Sequence, residues 1–88
     1  MSFINAVYQA YNQMMKYKVS AVIEQDDEGF YAYCPELPGC QTQGDTFQEA
    51  MANIREAATL YLGTLPRASR RELLSREIVT TSVEVQFA

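Results

Sequence analysis

The chain has 88 residues, a net charge of −4 and no histidine, and 48% of its residues are apolar. That length holds one small globular domain with a thin core, and the acidic balance argues against a general affinity for nucleic acid while suiting a basic partner. The missing histidine removes the commonest general base and the commonest metal ligand, and no apolar run approaches the roughly 20 residues that cross a bilayer.

The N-terminus lacks the basic segment and apolar run of a secretory leader, so a cytoplasmic location is expected. Phe3, Ile4, Val7, Tyr8 and Tyr11 recur at helical spacing, which predicts a helical extension over residues 1–15 ahead of a single domain over 16–88. From Lys16 to Glu24 the pattern alternates: Tyr17, Val19, Ala21 and Ile23 share one face, and Lys18, Ser20, Val22 and Glu24 the other. This is the first predicted strand. The acidic run Gln25-Asp26-Asp27-Glu28-Gly29 is a turn, and the aromatic-rich Phe30–Cys34 a second strand.

The next fifteen residues are the most constrained. Pro35 and Pro38 fix φ and withhold backbone donors, so Pro35-Glu36-Leu37-Pro38-Gly39-Cys40 is a rigid turn between strands, with Gly39 as its permissive position. A third strand runs from Cys40 to Gly44. Gly44 and Asp45 end it, and Thr46 with Glu49 has the spacing of a capping box that starts a helix. Phe47, Ala50, Met51, Ile54, Ala57, Ala58 and Tyr61 form the apolar face of that helix, and Gly63 is its expected stop. Ser69 and Glu72 predict a second capping box over a single turn, Arg70 to Ser75. Residues 78–87 alternate again, with Val79, Thr81, Val83, Val85 and Phe87 on one side, and predict a last strand.

The order is β-β-β-α-β, an α+β class. Short connections make the first three strands an antiparallel meander, and a right-handed helical crossover brings the last strand parallel to the first, with the helix on one sheet face. For so small a domain a second subunit on the other face is expected, in a homodimer or homotetramer.

Chemistry is scarce. Glu24, Asp26, Asp27 and Glu28 crowd one hairpin, where neighbouring carboxylates splay outward and form a solvated tip or a docking patch, not a metal cage. Cys34 and Cys40 flank the proline turn as two small, half-buried side chains, without the further ligands of a zinc site. Arg67, Arg70, Arg71 and Arg76 form the basic cluster; no aromatic residues interleave with it as a single-strand platform requires. No serine or cysteine has a triad partner. The residues imply no catalytic site, no cofactor and no metal.

Together, Tyr17-x-Val19-x-x-Val22-Ile23-Glu24, Asp27-x-Gly29-Phe30-Tyr31-Ala32, Cys34-Pro35-Glu36-Leu37-Pro38-Gly39-Cys40 and Gly44-Asp45-Thr46-x-x-Glu49-Ala50-x-x-Asn53-Ile54-Arg55-Glu56-Ala57 resemble the HicB antitoxins. The resemblance covers Lys16 to about Leu62. It implies a partial RNase H-like fold and a role in covering a small, basic, RNA-cleaving toxin of the HicA type. Many members carry a C-terminal DNA-binding module; this sequence stops at Ala88, and direct DNA binding is not expected of it. Charge complementarity assigns the partner surface to Glu24, Asp26, Asp27, Glu28 and Glu36, while Pro35, Leu37, Pro38, Gly39, Cys40, Gly44, Asp45, Thr46 and Glu49 specify the fold. A stand-alone oligomeric binding protein is the alternative. A metal-dependent nuclease is disfavoured, because only Glu24 and Asp45 sit at strand or helix borders.

Overall fold

A computed structural model describes residues 16–88; the helical extension expected over 1–15 lies outside them. Five elements follow in order: β1 (Val22–Asp26), β2 (Gly29–Tyr33), β3 (Gln41–Gly44), α1 (Phe47–Gly63) and α2 (Arg67–Leu73). The class is α+β, with an antiparallel sheet in the order β1-β2-β3.

The β1–β2 hairpin closes tightly, with Asp26 opposite Gly29. Asp26 Oδ1 accepts the Glu28 N–H at 2.8 Å, a local bond that turns the chain without help from the core. At the other end of β2 the proline corner is held by three backbone bonds. The N–H groups of Leu37, Cys40 and Cys34 donate to the carbonyls of Cys34, Leu37 and Cys40 at 3.0, 3.0 and 3.1 Å. In the second turn Pro38 supplies a fixed φ and Gly39 takes φ +82°, which a side chain would resist. Leu37 is driven inward and is 1% exposed.

Ala32, Leu37, Cys34 and Cys40 meet a stripe of α1 formed by Ala50, Ile54, Ala58 and Leu62, and these eight residues are the buried core. Thr46 Oγ1 accepts the Glu49 N–H at 3.0 Å and caps the helix start. Asn53 Nδ2 donates to Gln43 O at 2.9 Å and pins α1 to β3, while Phe30 and Phe47 meet edge to face at 6.4 Å.

The helix ends differently from the expectation for Gly63, whose φ is not positive. Thr64 caps instead: its N–H and hydroxyl both reach Tyr61 O. Arg70 Nε donates to Leu62 O and Leu65 O at 2.7 and 3.0 Å, so a side chain from α2 satisfies carbonyls that the helix leaves over. The expected capping box at Ser69 and Glu72 does not start the second helix. α2 begins three residues before Arg70, behind Pro66, whose φ of −61° is already compatible with helix entry.

Two strand predictions need correction. β1 begins at Val22, not Lys16, because its partner runs out: Val22 faces Tyr33, and beyond Tyr33 the chain turns into the proline corner. Residues 16–21 carry no ladder. The last strand over 78–87, expected beside β1, is also not formed; residues 77–88 carry no helix or strand, and a strand needs a neighbour that this stretch does not meet among the described residues.

Candidate partner-binding surface

The sheet has two chemically different ends. At the hairpin end, the β1–β2 turn contributes Asp26 and Glu28, and the junction of β3 with α1 contributes Asp45 and Glu49. These four exposed carboxylates surround an open cleft of about 320 Å³ over Gly29, Phe30, Tyr31, Gln43 and Gly44. No cationic side chain lines it. Asp27 is exposed at the tip of the turn, and Glu24 is exposed opposite Tyr31 on the sheet face turned away from α1. Four of the predicted partner residues thus share one edge of the molecule. Asp45 and Glu49 join them in space, which sequence spacing hid: both were already accounted for by the helix start.

Glu36 does not belong to this surface. It is 4% exposed, at the opposite end of the sheet, and its Oε2 accepts the Ser20 N–H at 2.9 Å. The carboxylate holds the extended residues before β1 against the corner. A charged residue inside a Pro-x-x-Pro turn reads as exposed until the segment that covers it is in place.

The cysteines are free, buried and adjacent. The Cys34 thiol is pushed up to about 12, by burial first and then by Cys40 and the Glu36 charge, so it stays protonated and unreactive near neutral pH. Of the basic cluster, Arg70 is engaged at the end of α1, and Arg76 Nη2 donates to Pro35 O at 2.8 Å. Both act as internal ties. Tyr31 and Tyr33 stack obliquely at 5.8 Å on the open sheet face, and the Tyr31 hydroxyl donates to Gln41 Oε1 at 2.7 Å.

Among the described residues no group of three or more Asp, Glu or Cys side chains is arranged to hold a metal ion, and no helix is long and apolar enough to cross a membrane. The geometry offers a fixed array of negative charge beside an aromatic and amide sheet face, a surface for recognition.

A family model described as HicB_like antitoxin of bacterial toxin-antitoxin system matches residues 17–87. The chain is 41% identical over 70 residues to a UPF0150 protein of Helicobacter pylori, covering 80% of this chain and 97% of that one. It is 48% identical over 50 residues to a UPF0150 protein of Synechocystis, covering 56% of this chain and 63% of that one. A UPF0150 protein of Thermoplasma acidophilum is 43% identical over 58 residues, 65% of this chain and 81% of its own. No solved structure matches significantly.

Proposed function

Because the chain belongs to the HicB-like antitoxin family of bacterial toxin–antitoxin systems, we propose that it binds and occludes a small, basic, RNA-cleaving toxin of the HicA type, with the hairpin end of the sheet as the contact. The observation that carries this reading is the convergence of Asp26, Glu28, Asp45 and Glu49 on one cleft from two separate segments. A single acidic loop would be mobile and weakly complementary. Carboxylates held by a hairpin turn and by a helix cap keep fixed spacings, so a basic partner meets a preformed pattern. Asp27 and Glu24 extend the negative field along the approach path and speed encounter more than they tighten the complex. The protein inhibits by covering its partner, without chemistry of its own.

Co-expression with the adjacent small open reading frame tests this. The expected result is a growth-inhibiting neighbour that co-purifies with this chain, in a complex that weakens as salt rises. The double variant Asp26→Lys, Glu28→Lys is expected to weaken capture at least tenfold at low salt. A non-toxic neighbour, or a complex indifferent to both salt and the charge reversal, overturns the proposal.

A further inference from the structure

Residues 77–88 leave the body after Arg76 and carry no helix or strand. Val79, Val83, Val85 and Phe87 on this tail are 75, 79, 65 and 89% exposed, and they alternate with Thr80, Glu84 and Gln86. An alternating stretch of β-branched and aromatic residues has the composition of a half-buried strand, and standing alone in water it exposes an adhesive edge.

The same chain carries the complement of such a strand. β1 is an outer strand of the sheet, so one side of its backbone has no ladder partner among the described residues. Alongside runs an open groove of about 460 Å³ between the extended residues 17–21 and α1, with Tyr17, Val19 and Ala21 on one wall and Ile54, Ala58 and Leu62 on the other. The Tyr17 hydroxyl oxygen is buried there with no hydrogen-bond partner among the described residues. The groove is lined mainly by apolar side chains, and it borders the outer backbone edge of β1, whose N–H and C=O groups an added strand would pair.

We propose that residues 77–88 of one copy lie along the β1 edge and groove of a second copy, which returns its own tail, forming a reciprocal strand-exchanged pair. The occupant is a second copy because the tail's exit is fixed at the corner by the bond from Arg76 to Pro35 O, residues 79–88 are all exposed, and the groove of the same chain stays open. Each chain supplies one such tail and one β1 edge bordered by the groove, so a reciprocal exchange closes into a twofold pair. Thr80, Glu84 and Gln86 then face water on the far side of the added strand. This pairing is independent of any toxin.

Light scattering on the full chain during size-exclusion chromatography tests it. The expected mass is twice the 10.0 kDa of one chain, or a multiple of that pair. Val83→Asp with Val85→Asp disables the tail, and Thr59→Arg obstructs the groove at an exposed lining position. Each variant is expected at the single-chain mass with the helical far-UV circular dichroism signal of α1 and α2 retained, because neither site contributes to the buried core. Mixing the two at high concentration is expected to restore a mixed pair, since one intact tail then meets one intact groove. A wild-type chain at 10.0 kDa, a variant that keeps the wild-type mass, or a mixture that forms no pair overturns the proposal.

Discussion

Gly44 has the closest surroundings of the four glycines. A Cβ at this position would lie 2.6 Å from Ala50 N and 3.1 Å from both Ala50 Cα and Glu49 C. These are backbone atoms of the first turn of α1, so no side-chain rotation relieves the clash. The helix start must move away from β3, against the bond from Asn53 Nδ2 to Gln43 O and the burial of Ala50. Overpacking of this kind costs about 1–3 kcal/mol. For a domain of this size each kcal/mol lowers Tm by roughly 4–8 °C, so Gly44→Ala is expected to melt on the order of 10 °C below wild type. Gly63→Ala is the internal control. Nothing lies within 4 Å of a Cβ there and its φ is ordinary, so alanine gains up to about 0.5–1 kcal/mol of helix propensity. Thermal melts followed by circular dichroism at one protein concentration read both signs, the concentration being held fixed because association shifts Tm. Gly44→Ala melting at or above wild type refutes the close-approach argument. The same displacement moves Asp45 and Glu49 relative to the hairpin, so toxin capture is expected to weaken with it.

Leu37→Ala empties the most buried large side chain of an eight-residue core and is expected to cost about 2–5 kcal/mol, enough to populate unfolded chain measurably in a urea titration. The raised Cys34 pKa has a signed consequence: the folded state holds the thiol proton more tightly than the unfolded state, so its stabilisation is complete below about pH 9.0 and is lost as pH rises towards about 12. Comparing denaturation of wild type and Cys34→Ala across that window isolates the effect; the wild-type curve is expected to fall more steeply. Glu36→Ala leaves the Ser20 N–H without its acceptor and is expected to cost about 1–3 kcal/mol in thermal melts. The salt dependence of toxin binding is expected to stay unchanged in that variant, in contrast to the charge reversal at Asp26 and Glu28.

What the sequence made legible is what short-range chemistry decides. The hairpin turn, the Pro38-Gly39 corner and the Thr46 cap each depend on residues within a few positions of one another, and all three are formed. The limits of β1 were not legible, because they depend on where β2 ends: Val22 pairs with Tyr33, eleven positions away, and the alternation within β1 does not show that its partner stops there. Leu62 stands outside the apolar helix face that the spacing picks out, and Arg70 stands in the sequence only as one of a basic cluster. In space, Leu62 packs beside Ala58 in the core, and Arg70 reaches back eight residues to bind its carbonyl. The acidic cleft was half legible: Asp26 and Glu28 stood out as a charge run, but Asp45 and Glu49 reach it only through the crossing of β3 and α1.

The acidic cleft and the groove are separate, and the exchanged strand approaches the hairpin end only where β1 runs through Glu24 to Asp26. The acidic cleft is built from Asp26, Glu28, Asp45, Glu49 and the sheet residues beneath them, whereas the groove is built from residues 17–21 and the inner and C-terminal parts of α1; no residue lines both. Exchange of tails would therefore leave the hairpin end of each copy uncovered and present two acidic clefts on one particle. A toxin bound at each would gain no avidity from a monovalent contact, but two linked clefts acting on a paired or clustered target would raise the local concentration for the second contact. The combination predicts a stoichiometry of one toxin per antitoxin chain in the assembled complex, and the tail-disabled variant Val83→Asp, Val85→Asp keeps that ratio while halving the particle. A complex with one toxin per pair would place the toxin on the twofold axis, across the exchanged strands, and would remove the hairpin end as the contact.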